Sequence, residues 1–122
     1  MSKVAIGAGA AYEYTVRNLG GPVSEVDNVI SVGTTATQIL APNADRVGAI
    51  AVNLGGGSVY AAMSGTPSSS RGIFLAASGG SMVLLVPFDF TLVARSWFAV
   101  SDVNGPYNVY VLEYFRYKTG GA

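Results

Sequence analysis

Residues 46–63 read RVGAIAVNLGGGSVYAAM, and this stretch decides the fold. From 46 to 54 the side chains alternate, with Ile50, Val52 and Leu54 on one face and Ala49, Ala51 and Asn53 on the other. A period of two over eight or nine residues is a strand, not a helix. The triple glycine 55–57 then reverses the chain into a second apolar run at 58–63. Two strands joined through glycine make an antiparallel hairpin.

The same rhythm extends in both directions. Short runs rich in Val, Ile, Tyr and Thr occur at 29–32, 37–41, 72–75, 81–86, 90–94, 97–100 and 107–115, with Gly, Pro, Asn and Asp between them. Strands recurring every eight to twelve residues predict an all-β chain. The architecture expected is an antiparallel β-sandwich, jelly-roll or Greek-key like. No window carries a sustained 3.6-residue pattern with caps, so little or no helix is expected. Residues 1–27 differ in being Gly/Ala-rich, with one short strand at 12–16 before Gly20-Gly21-Pro22. They read as an extended N-terminal arm or edge strand, and 28–122 as the β-sandwich domain. The start of the chain faintly imitates a signal peptide, but glycines interrupt its apolar region.

Composition narrows function by what it lacks. The 122 residues include no cysteine and no histidine, and seven basic residues balance seven acidic ones. Histidine is the usual acid–base at neutral pH and cysteine the strongest neutral nucleophile. A balanced charge supplies no field for nucleic acid. The longest apolar run, 82–88, is far shorter than a membrane span. No enzyme, cofactor, metal, nucleic-acid or membrane role is therefore expected.

Individual motifs agree. The Gly7-Ala8-Gly9 pair resembles the opening of a dinucleotide site, but Tyr12 stands where the third glycine belongs and no helix pattern follows. Ser64 and Ser68 to Ser70 have no base other than Lys3 or Lys118, and a solvated turn accounts for them better. Asp27, Asp45, Asp89 and Asp102 sit singly at expected strand ends, where aspartate caps turns; no D-x-D-x-D cluster suggests calcium.

Aromatic residues remain. Trp97, Phe98, Tyr60, Tyr107 and Tyr110 could line a carbohydrate or protein site, although such residues more often pack. The last strand is apolar on both faces, with Tyr107, Val109, Val111 and Phe115 opposite Tyr110, Leu112 and Tyr114. Residues 82–86 are apolar on both faces too. An antiparallel sheet in a monomer normally shows water one polar face. Either loops and the arm cover these faces, or neighbouring subunits do. The second alternative predicts a homo-oligomer, a trimer before a dimer. The candidate interface residues are Tyr12, Tyr14, Val16, Trp97, Tyr107, Tyr110 and Tyr114, the first three spaced as one face of an added strand.

One further pattern runs through 32–113. Thr34-Thr-Ala-Thr-Gln-Ile-Leu reaches Pro42-Asn43-Ala-Asp-Arg46, then Asn53-Leu-Gly55, Val59-Tyr60 and the terminal Val109-Tyr-Val-Leu-Glu113. Read physically, Pro42-Asn43 breaks a strand, Arg46 can pin the corner by donating to carbonyls, and Asn53 starts the hairpin. The pattern resembles small β-rich virion structural proteins of tailed bacteriophages. That resemblance implies a capsid decoration or cement protein, made in the host cytoplasm and lying on the capsid surface. It would bind itself and the major capsid protein and stabilise the head by contact area. The alternatives are a phage tail, neck or fibre-base component, and, in another class, a carbohydrate-binding β-sandwich module.

Overall fold

The computed structural model describes residues 22–85 and 89–116. Among these residues eight strands form, β1 (Val23–Val32), β2 (Thr37–Leu40), β3 (Arg46–Asn53), β4 (Val59–Ala62), β5 (Ile73–Leu75), β6 (Ser81–Leu85), β7 (Trp97–Ser101) and β8 (Tyr107–Arg116). They build two four-stranded antiparallel sheets, sheet A in the order β1-β8-β3-β6 and sheet B in the order β2-β7-β4-β5. Strands pair as nested sets, β1 with β8, β2 with β7, β3 with β6 and β4 with β5, as if one long hairpin folded at β4–β5 had been rolled into two layers. Every connection except β4–β5 crosses between the sheets.

The inward faces hold Val109 and Val111 of β8, Ala49 and Ala51 of β3 and Met82 and Leu84 of β6, against Val59, Ala61, Leu75, Trp97 and Ala99 from sheet B, all in one buried cluster. In β3 the alternation resolves unexpectedly. Its small alanines point inward, and Ile50 and Val52 point outward, half-buried.

The corner read from Pro42 to Arg46 is built as its residues suggest. β2 ends at Leu40, and Asn43 Oδ1 accepts the Asp45 amide at 2.9 Å. A one-residue bulge separates the pairs Arg46–Phe115 and Gly48–Tyr114. By strict alternation Arg46 would share the outward face of Gly48; the bulge turns it inward. There its Nε meets Glu113 Oε1 at 2.8 Å, Nη1 donates to the Val93 carbonyl at 3.0 Å and the Arg95 carbonyl at 3.1 Å, and Nη2 donates to the Ala41 carbonyl. The guanidinium fork thus ties β2's end, the segment before β7 and β8 to β3. Asn53 plays the matching part at the other end. Its Oδ1 takes the Gly55 amide, and its Nδ2 reaches the carbonyls of Gly57, Leu75 and Ala76.

Four expectations need correction. The hairpin expected across glycines 55–57 does not form: β3 lies in sheet A and β4 in sheet B, so this turn carries the chain from one layer to the other instead of pairing its flanking strands. Residues 90–94 form a 3₁₀ helix (Phe90–Ala94), not a strand, with the Leu92 amide on the Asp89 carbonyl and the Arg95 amide on the Leu92 carbonyl. The chain must cross here from sheet A to sheet B, and Asp89 Oδ2 fixes the start of the turn by accepting the Leu85 amide at 2.7 Å. The boundary expected at 27/28 falls inside β1, which pairs with β8 along its whole length from Val23. Asp27 accordingly sits within a strand instead of capping one, and its Oδ2 accepts the Tyr110 hydroxyl at 2.9 Å. Residue 86 of the expected strand 81–86 and residues 1–21 of the arm lie outside the described residues. No helix among the described residues is long and apolar enough to cross a membrane.

Candidate functional site: the outer face of sheet A

The registers of sheet A stack its outward side chains into three cross-strand rows. Val29, Tyr110, Val52 and Ser81 form the first; Asp27, Leu112, Ile50 and Val83 the second; Glu25, Tyr114, Gly48 and Leu85 the third. Eight of these twelve positions are aliphatic or aromatic, seven of them on β8, β3 and β6 and the eighth, Val29, on β1. Glu25 and Asp27 rim the β1 edge. Strand spacing and rise make the panel roughly 14 Å on a side.

Its exposure runs opposite to that of a solvated sheet face. Val29 is 57% and Val83 52% exposed, while Tyr110, Leu112, Tyr114, Ile50, Val52 and Leu85 are half-buried by one another. The Tyr114 ring lies over Gly48, where a Cβ would come within 2.6 Å of the ring, so glycine lets the aromatic lie flat across β3. Beside it, Val23, Glu25, Leu112 and Tyr114 line a shallow hollow of about 330 Å³. The bond from Tyr110 to the Asp27 carboxylate, followed by desolvation, raises the tyrosine pKa above its usual value. A neutral, mostly aliphatic panel with an acidic rim can bury area against another protein, with little chemistry of its own.

The candidate interface residues divide. Tyr110 and Tyr114 are on this face. Trp97, also expected at an interface, is instead only 4% exposed in the core, with Nε1 donating to the Leu92 carbonyl at 3.2 Å. Its placement follows from the inward register of β7, which puts Trp97 with Ala99 beneath sheet B. Tyr107 packs against the core from the end of the sandwich, and its hydroxyl donates to Asp102 Oδ1 at 3.1 Å. Gly57 is bare because a Cβ there would run into that ring. Burial, and then Asp102, push the Tyr107 pKa up, while the Ser58 and Asn104 amides hold the Asp102 carboxyl below its usual range. Tyr12, Tyr14 and Val16 lie outside the described residues.

Sequence reading missed Val29, Val83, Ile50, Val52 and Leu85 as members of one surface. Their alternation was visible, but only the register places them in common rows. Among the described residues no three His, Cys, Asp or Glu side chains converge as metal ligands.

No known family matches this sequence, and no curated protein matches it either. One solved structure is similar, described as "Bacillus endospore appendages form a novel family of disulfide-linked pili". The identity is 15% over 79% of this chain and 88% of that one, with a TM-score of 0.48. This chain has no cysteine with which to form a disulfide.

Proposed function

We propose that this chain is a non-enzymatic structural protein of a virion, a capsid decoration protein that binds neighbouring subunits through the outer face of sheet A. The three-row apolar panel of that face carries the reading. Burying it is favourable at about 25 cal/mol per Å², and no conformational change is needed to present it. The panel is smaller than the roughly 800 Å² per partner of a standard interface, so it serves as the centre of a larger contact. Two packed antiparallel sheets with nested strand pairs are compatible with a jelly roll, an architecture used by capsid and lectin domains, which supports the reading by analogy alone. Tyr12, Tyr14 and Val16, which precede β1 in sequence, have the spacing to add a strand to a neighbouring sheet. On this reading the partners are further copies of the chain, a trimer first, and the major capsid protein.

The test is quantitative proteomics of purified phage particles together with two surface variants, Val29→Lys and Val83→Glu. Both positions are exposed, so folding is retained and decoration is lost. Hundreds of copies per particle fit the proposal. A few to a dozen copies would move the protein to the neck or tail, and its absence from particles would end the proposal.

A further inference from the structure

The opposite side of the sandwich carries a second surface with different chemistry. Tyr60 of β4 and Val100 of β7 are register partners on the outward face of sheet B. The loop after β4 folds back over them and buries Pro67, with its turn closed by paired backbone bonds between Ser68 and Arg71. Between loop and sheet runs a groove of about 430 Å³, its floor formed by Tyr60 and Val100, one wall by Pro67, Ser68 and Ser69, and the far rim by Asp102. We propose that this groove binds a neutral saccharide, one or two sugar rings stacked on Tyr60.

The lining selects that chemistry by elimination and by fit. Among the described residues no lysine or arginine lines the groove and one carboxylate does, so phosphate, sulfate and acidic sugars are repelled. A purely apolar ligand would strand the hydroxyls of Ser69 and Thr34, which also line it, the Ser68 hydroxyl being bonded to Ser70 within the loop. A sugar ring has the matching two-sidedness, C–H groups on its faces for an aromatic platform and hydroxyls around its edge. Outside the groove Phe74 packs against Tyr60, with centroids 5.7 Å apart and planes tilted by 38°, and steadies the ring on its other side. Asp102 has acceptor capacity to spare. Its Oδ1 accepts the Asn104 amide and the Tyr107 hydroxyl, whereas Oδ2 accepts only the Ser58 amide among the described residues. A carboxylate oxygen has two acceptor directions, and the second on Oδ2 is available to a sugar hydroxyl. Volume falls at the lower end of the roughly 300–1,000 Å³ typical of small-molecule sites, enough for a mono- or disaccharide.

The experiment is amide NMR of the full chain titrated with maltose, cellobiose and N,N′-diacetylchitobiose to about 20 mM, which covers the millimolar affinities a shallow subsite supports. At least one sugar should give saturable shifts confined to Tyr60, Ser68, Ser69, Val100 and Asp102 and their neighbours. Tyr60→Ala should weaken that binding at least about fivefold, as loss of a stacking partner does. Ser69→Arg, at an exposed rim position that does not threaten the fold, should block it. Val29→Lys, on the far side of the sandwich, should leave it unchanged, so the outcome is independent of the virion reading. No saturable shift with any of the three sugars, or binding that survives both groove variants, would overturn the proposal.

Discussion

Replacing Arg46 with methionine tests whether one guanidinium holds the end of the sandwich. Arg46 is 3% exposed and serves four acceptors, the Glu113 carboxylate and the carbonyls of Ala41, Val93 and Arg95. Methionine keeps most of the apolar stem and removes every donor. Breaking a buried ion pair from one side costs about 3–5 kcal/mol, since the remaining charge is stranded. Against a total of about 5–15 kcal/mol for a domain, that is a large fraction. Urea unfolding followed by circular dichroism should show the midpoint falling at unchanged slope, and the melting temperature should drop by roughly 10–20 °C. The double variant Arg46→Met/Glu113→Leu separates the pair from the corner. If the ion pair were the whole contribution, removing both charges would restore most of the stability. The structure requires otherwise, because three carbonyls would still lack their donor at about 1–3 kcal/mol for each group left buried and unpaired. A cost below about 1 kcal/mol for Arg46→Met, or full recovery in the double variant, would refute the assignment of this residue as the tie between β2, β3, β8 and the 3₁₀ turn.

Further outcomes follow from the same geometry. Stability should be flat between about pH 5.5 and 7.5, since the chain has no histidine to titrate there. On the acid side the Asp102 carboxyl is depressed in the fold, so its contribution is complete above the ordinary value of 3.8 and is lost as pH falls through the folded pKa; Asp102→Asn should blunt that acid limb in melting curves. On the alkaline side Tyr107 and Tyr110 are raised above 10.0, so stability is held below that pH and falls as pH climbs through the folded values, an effect that Tyr110→Phe should reduce. Deleting residues 2–20 should leave strands β1 to β8 folded by amide NMR and weaken assembly measured by light scattering or capsid binding; unchanged binding would remove the arm from the interface. Gly48→Val should displace the Tyr114 ring and roughen the sheet A panel, reducing assembly more than melting temperature.

Much of this was legible in the chain, and the limits have physical causes. Alternation and turn residues located seven of the eight strands closely, because period-two patterning and Gly, Pro and Asn punctuation are local properties. The corner at Arg46 could be read from Pro42-Asn43 and an arginine at a strand start. The bulge that turns the guanidinium inward could not, since it depends on the partner strand. Residues 90–94 misled because an apolar, β-branched run looks alike in a buried strand and a buried 3₁₀ turn, and the crossing between sheets selects the turn. β1 begins earlier than expected because Ser24, Glu25, Asp27 and Asn28 are polar residues on an exposed edge, stabilised by the ladder to β8 and not by burial. Trp97 looked like an anchor and proved to be core, since an aromatic at a strand position has no intrinsic side. Tyr110 and Tyr114 were identified with their face, but the rest of the panel and the groove under Pro67 exist only once the register and the loop are fixed.

The nested strand order also constrains how the molecule can be made. β8 lies between β1 and β3, so the sheet containing the first strand has a gap at its centre until the last strand arrives. A ribosome emitting this chain releases β1 through β7 with two edges exposed where β8 belongs, and neither β1 nor β3 has its partner on that side. Topologies so dominated by distant pairing fold slowly, over milliseconds to seconds. The finished fold therefore waits for Arg116 to clear the exit tunnel, and during that wait the aliphatic strand β3 is open to wrong partners. A chain with few charges and little repulsion has scant protection in that interval, so its yield on overproduction should depend on temperature and translation rate more than on the stability of the folded state.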